Sequence, residues 1–115
     1  MSIKQFEIWI ADLNPKIGTE PGKTRPVLII QTNFLNKIPH PSTLICPLTT
    51  NVKTDAEILR VNLRKGTANL NQSCDIMIDQ IRAIDNKRLI KKTGELPGEL
   101  IDIVKENLSI VLDFE

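Results

Sequence analysis

The chain has 115 residues, 41% hydrophobic and 25% charged, a balance that gives one compact domain over residues 1–115 and argues against two domains or a disordered tail. No run approaches the roughly 18 consecutive apolar residues of a membrane helix, and the opening Met1-Ser2-Ile3-Lys4-Gln5 lacks the apolar region of a secretory signal, so the expected compartment is the cytoplasm. The net charge of +1 gives no global argument for a nucleic-acid partner, but residues 1–70 carry 9 Lys and Arg against 5 Asp and Glu, whereas residues 71–115 carry 6 against 9. An anionic partner should therefore meet the first part.

Residues 6–13 are rich in β-formers and stop at the turn signal Asn14-Pro15, which predicts a first strand. The segment from Asn14 to Thr24 contains Pro15, Gly18, Pro21 and Gly22 and reads as a long loop, of the kind that serves function in a small domain. Residues 26–31 are apolar on both faces and too short for a helix, as suits a central strand; a third run spans residues 43–48 after the Pro39-His40-Pro41 loop. Residues 57–63 alternate, with Leu59, Val61 and Leu63 on one face. Residues 75–84 read as one longer strand whose faces are both interrupted by polar groups near the middle. From Pro97 onward Leu100, Val104, Leu108 and Val111 recur at helical spacing, with Pro97 in the first turn; Ile101, Ile103, Ile110 and Leu112 widen the stripe, so the helix either packs deeply on the sheet, the favoured reading, or contributes to a subunit contact. The pattern predicts a mainly β fold, a small antiparallel barrel or strongly bent sheet closed by a C-terminal helix.

Cys46 and Cys74 lie 28 residues apart without metal-ligand spacing, and are expected as reduced, buried, small hydrophobes. Gly18-Thr19-Glu20-Pro21-Gly22-Lys23-Thr24 imitates a phosphate-binding P-loop, but only three residues separate its glycines and a strand follows where a helix is required. Lys23 and Arg25 stand where the loop enters a buried strand; Arg25 either offers its fork to a phosphate or pairs with a carboxylate such as Glu20. Thr49 and Thr50 end the third strand, as ligand donors or as plain turn residues. His40 is the single histidine, so a two-histidine ribonuclease mechanism is impossible within one subunit, and its setting between prolines favours an exposed, unpaired ring over a general base. Asp75, Asp79 and Asp85 could suggest a divalent cation, but Asp75 and Asp79 would sit about 13 Å apart along a strand, too far to share one ion, so no metal is expected; no other cofactor is expected either. With no Tyr, one Trp and three Phe, a stacking platform for nucleic acid is reduced to Phe34.

Taken together, Ile8-Trp9-Ile10-Ala11-Asp12-Leu13-Asn14-Pro15, then Gly18-Thr19-Glu20, Arg25-Pro26-Val27-Leu28-Ile29-Ile30, Cys46-Pro47-Leu48-Thr49 and Asp79-Gln80-Ile81-Arg82-Ala83-Ile84-Asp85 resemble the MazF/PemK family of toxin endoribonucleases. The resemblance implies an SH3-like barrel (the MazF/PemK/CcdB toxin fold), a homodimer, and metal-independent cleavage of single-stranded RNA at a short sequence, restrained by a cognate antitoxin. It implies Arg25 and Thr49 as catalytic residues, and Thr19, Glu20, Lys23, Asp79 and Gln80 as RNA-binding residues. Departures are Phe6, where many relatives have glycine and where a packing effect alone is expected, and the Pro39-His40-Pro41 loop. The alternative within the same fold is a non-catalytic, CcdB-like toxin that binds a protein such as gyrase; a peptide-binding SH3-like module is disfavoured by the missing tyrosines.

Overall fold

The computed structural model describes residues 2–19, 22–55 and 59–113. Seven strands, β1 (Glu7–Asp12), β2 (Thr24–Ile29), β3 (Ser42–Thr49), β4 (Arg60–Leu63), β5 (Cys74–Met77), β6 (Arg82–Asp85) and β7 (Leu89–Glu95), form an antiparallel sheet in the order β4-β5-β3-β2-β1-β7, with β6 also paired to β3. A short helix α1 (Asn33–Asn36) follows β2, and α2 (Gly98–Leu112) closes the fold. Strand β3 bends the sheet because its first half pairs with β6 and its last two residues with β5.

The period of two in β2 and β3 divides the core. Leu28, Cys46 and Leu48 face one cluster, which α2 covers with Val104 and, less deeply, Leu100, Ile101, Leu108 and Val111. Val27, Ile29 and Ile45 face the other, with Trp9, Ala11 and Leu13 of the first strand region. Full burial of one such Ile or Leu contributes about 2 kcal/mol, so both faces hold the ladder in register. The carboxylate of Glu7 lies under this strand. Burial pushes it up, but bonds from Lys92, the Trp9 indole and the Lys4 N–H outweigh that and hold it below the ordinary carboxylate value.

Several expectations change. The strand expected over 75–84 is two strands broken by a 3₁₀ turn, Ile78–Gln80. Strand β3 pairs Leu48 with Ile76 and Ile45 with Arg82, so three steps along β3 face six along the chain opposite, and the excess loops out as that turn. Strand β7 is additional: of LIKKTGE only Leu89 is buried, which leaves no apolar alternation to announce an edge strand. Leu59 is exposed in a turn before β4, apart from buried Val61 and Leu63, and residues 57 and 58 lie outside the described residues. Pro97 is the residue before the first turn of α2. Ile103, Ile110 and Leu112 are exposed, so the helix buries a narrower stripe than expected.

Phe6 has φ of 69°, in the left-handed region where glycine is at ease. Its effect is therefore on the backbone as well as on packing. His40 is half-buried, and its Nδ1–H donates to the Ser42 carbonyl at 2.7 Å, so the ring is neither fully exposed nor unpaired.

Candidate active site

The long loop is tied at its base. The Leu13 N–H donates to the Lys23 carbonyl at 2.9 Å, the Lys23 N–H donates to Asn14 Oδ1 at 2.8 Å, and Arg88 Nη1 donates to the Asp12 carbonyl at 2.9 Å. Gly22 is buried against Lys16: a Cβ at Gly22 would lie 2.7 Å from Lys16 Cβ and 3.0 Å from its Cα. No side chain fits there without moving the loop. Strand β2 starts at Thr24, so no helix N-terminus follows the glycines and the P-loop reading is excluded on geometry.

The placement of Gly22 bears directly on Arg25. The Arg25 Nε–H donates to the Gly22 carbonyl at 2.8 Å, and Nη1 donates to the Leu48 carbonyl on β3 at 3.2 Å. Among the described residues no carboxylate pairs with it. Two carbonyls orient a guanidinium but do not neutralise it. With two of its five N–H donors spent, three remain for an anionic oxygen, in a fork already held in place. Burial pushes the guanidinium below its ordinary value, yet arginine starts so high that it stays cationic.

Thr49 faces it. The β2–β3 register pairs Val27 with Pro47 and Leu28 with Cys46; continued toward the loop, it sets Arg25 opposite Thr49 on the face that carries Val27 and Ile29. Lys23 to Pro26 on one side and Leu48 to Asn51 on the other line a cleft of about 260 Å³. The Thr49 hydroxyl accepts the Asn51 N–H at 3.1 Å, which fixes its rotamer and leaves its own proton to donate. The cleft thus combines a fixed cation, a hydroxyl, and Lys23 at its rim.

Arg25, Lys23 and Thr49 are brought together. Thr19 is exposed within the loop, Asp79 is exposed and Gln80 half-buried on the 3₁₀ turn, and these three do not line the cleft; Glu20 lies outside the described residues. Thr50 and Asn51 line it, and the hydrophilic end of the third apolar run was their only sequence signal. Asp75 is buried and accepts from Lys53, Arg60 and Asn62, a hydrogen-bond and ion-pair role. Cys46 and Cys74 are free and buried; burial, with the charge of Asp79, pushes the Cys46 thiol up to about 12, so it stays protonated and inert.

A bent antiparallel sheet with one closing helix, carrying an arginine and a threonine in one cleft, defines the class of small toxins that the sequence resembles. The chain matches the family model described as PemK-like, MazF-like toxin of type II toxin-antitoxin system over residues 4–112. Endoribonuclease EndoA of Bacillus subtilis (strain 168) is 32% identical over 112 residues, covering 97% of this chain and 96% of that protein. Among solved structures, MazF (Form-I) from Deinococcus radiodurans aligns with a TM-score of 0.81 at 21% identity over 99% of each chain. An endoribonuclease in complex with its cognate antitoxin from a mycobacterial species aligns with a TM-score of 0.78 at 17% identity, over 98% of this chain and 97% of that one. The chain belongs to the PemK/MazF toxin family of type II toxin–antitoxin systems, whose members are RNA-cleaving toxins. It stands with the endoribonuclease toxins of that family.

Proposed function

We propose that the chain cleaves single-stranded RNA at the Arg25–Thr49 cleft by attack of the RNA's own 2'-hydroxyl on the adjacent phosphorus, without a metal. The observation that carries this reading is that an un-neutralised, doubly anchored guanidinium and a hydroxyl line one cleft. Attack gives a pentacoordinate phosphorane with extra charge on its equatorial oxygens. The three free N–H donors of Arg25 bind that charge, and the Thr49 hydroxyl donates to a phosphoryl oxygen. Because both groups are oriented before substrate arrives, little reorganisation is needed in the transition state. The 2'-oxygen gives up its proton to solvent as its bond to phosphorus forms, and collapse breaks the bond from phosphorus to the 5'-oxygen, which takes a proton from solvent, leaving a cyclic 2',3'-phosphate and a free 5'-hydroxyl. DNA has no 2'-hydroxyl and is left intact.

Lys23 at the rim, Thr19 and Glu20 in the loop, and Asp79 and Gln80 on the outward turn are the RNA-binding residues of this reading. The turn interrupts the β3 ladder and so presents polar groups beside it. The chain works as a single domain, in the cytoplasm, as a homodimer, and is held inactive by an antitoxin; among the described residues no helix is long and apolar enough to cross a membrane. The support for an antitoxin is that the mycobacterial relative was solved in complex with its own.

The test is incubation of the protein, free of antitoxin, with a long single-stranded RNA in excess EDTA, beside the matching DNA, with fragment ends mapped. Discrete RNA cuts bearing 5'-hydroxyl ends, absent with DNA, are expected. Intact RNA across several unrelated transcripts would overturn the reading.

A further inference from the structure

The cleft wall opposite Arg25 is the first part of the loop that follows β3, and its anchor is a buried carboxylate outside the cleft. Asp75 is 1% exposed and stands directly across the β3–β5 ladder from Thr49. Its Oδ2 accepts the Lys53 N–H at 2.9 Å and Arg60 Nη1 at 3.4 Å, and its Oδ1 accepts Asn62 Nδ2 at 3.1 Å. The same Arg60 nitrogen donates to the Asn51 carbonyl at 3.3 Å. Two struts therefore run from one carboxylate to the loop, one to the Lys53 backbone directly and one through Arg60 to Asn51. Between Thr49 and those two points the chain has little freedom, and the Asn51 N–H is the group that fixes the Thr49 hydroxyl.

We propose that Asp75 is a positioning residue for RNA cleavage: it tethers the Thr50–Lys53 segment so that the Thr49 hydroxyl keeps its aim across the cleft. The inference rests on the catalytic reading of Arg25 and Thr49. Asp75 neither touches substrate nor carries a proton in the reaction. A carboxylate suits the position because it offers acceptors on both oxygens, one to the loop and one to the sheet. Asparagine retains most of this: its oxygen can face Lys53 and Arg60, while its amide nitrogen meets Asn62, whose own amide turns to accept and gives up its long 3.4 Å bond to the Cys74 carbonyl. Alanine leaves the Lys53 N–H and Arg60 without their shared acceptor.

The experiment measures kcat and KM on a short fluorogenic single-stranded RNA for the full-length protein and for Asp75→Ala, Asp75→Asn, Thr49→Ala and the Asp75→Ala/Thr49→Ala double variant, with a thermal melt of each. Asp75→Ala should lose about 10- to 100-fold in kcat with KM within about 3-fold, the signature of misplaced rather than missing chemistry. Asp75→Asn should recover to within about 5-fold of the parent, and in the Thr49→Ala background loss of Asp75 should cost less than about 3-fold, because the group it aims is gone. Wild-type kcat in Asp75→Ala, no recovery in Asp75→Asn, or full additivity with Thr49→Ala would each overturn the proposal. Should Asp75→Ala fail to fold, Arg60→Met removes the Asn51 strut together with the ion pair to Asp75 and leaves the direct strut to the Lys53 N–H; a kcat loss of about 3- to 10-fold is expected, and an unchanged kcat overturns the proposal. An Arg25→Ala control separates the two levels. If it cleaves normally the cleft reading falls, whereas if it is inactive and the Asp75 variants cleave normally, only the positioning role falls.

Discussion

The two ends of the β2–β3 ladder carry two cavities of opposite character. At one end lies the Arg25–Thr49 cleft of about 260 Å³; at the other, roughly 23 Å away along β3, lies a larger cavity of about 340 Å³ lined by Gln31, Asn36, His40 and Asn86 among others. Both are rich in polar side chains. In the larger one the amide side chains are occupied with one another and with neighbouring groups, and its one cation among the described residues is the exposed Lys87. Gln31 Nε2 donates to Asn36 Oδ1, Asn36 Nδ2 to the Gln31 carbonyl, the Thr43 hydroxyl to Asn86 Oδ1, and Asn86 Nδ2 to the His40 carbonyl. In the smaller one the guanidinium is held by two neutral carbonyls, with charge and donors left over. A cation anchored with donors to spare beside an oriented hydroxyl, and not volume, marks the place where chemistry can happen.

The sharpest way to break this comparison is Arg25→Ala, which removes the surplus charge and should lower cleavage by about 1,000-fold or more while the melting temperature and antitoxin binding stay near those of the parent. Arg25→Lys should not restore activity, because an ammonium cannot hold both the Gly22 and Leu48 carbonyls and still present a planar fork. Near-normal cutting by either variant would show that the leftover donors are not the source of catalysis. A smaller effect is expected from Gly22→Ala. The added Cβ would meet Lys16 Cβ at 2.7 Å, so the loop must shift and carry with it the carbonyl that orients Arg25 Nε. We expect a fall of about 10-fold in kcat with little change in KM; a fall in stability alone would mean that the carbonyl does not aim the guanidinium.

Smaller again is the outcome at the opposite cavity. Asn86→Ala strips a side chain that accepts from Thr43 and donates to the His40 carbonyl, which should cost about 1–2 kcal/mol in a denaturant melt and leave cleavage unchanged. A loss of activity without a loss of stability would mean that the far cavity takes part in the reaction.

How much of this was legible in the sequence follows the same division between local and distant causes. β1, β2, β3 and α2 could be read because their burial is written in contiguous residues, as two-faced apolar runs or helical spacing. β7 could not, since an edge strand with one buried residue has no pattern to show. The break at Ile78–Gln80 was half visible: polar Asp79 and Gln80 interrupt both faces of residues 75–84, but the turn itself is forced by the mismatch in their two pairings to β3. Arg25 and Thr49 were each no more than one residue at the mouth of a strand. Their juxtaposition depends on a ladder register that spacing does not encode, and the family resemblance, not periodicity, linked them. The partners of Asp75 come from a loop and from β4, which is why a carboxylate with two struts read only as a weak candidate for metal.

Phe6 offers the smallest test and the most exact one of backbone against side chain. At φ of 69° an L-residue with a Cβ is strained by about 1 kcal/mol, which glycine avoids. Against this, the half-buried ring packs on the cluster under α2, and Lys105 Nζ lies 5.7 Å from its centroid. Those contacts contribute about 1–2 kcal/mol, so Phe6→Gly should change stability by less than about 1 kcal/mol, the strain relieved and the packing lost nearly offsetting. Phe6→Ala separates the two terms, because it loses the ring and keeps the strain. It should be less stable than Phe6→Gly by about 1 kcal/mol, the reverse of the usual order of alanine over glycine, in paired denaturant melts. Alanine equal to or above glycine would mean that the left-handed backbone at this position carries no cost.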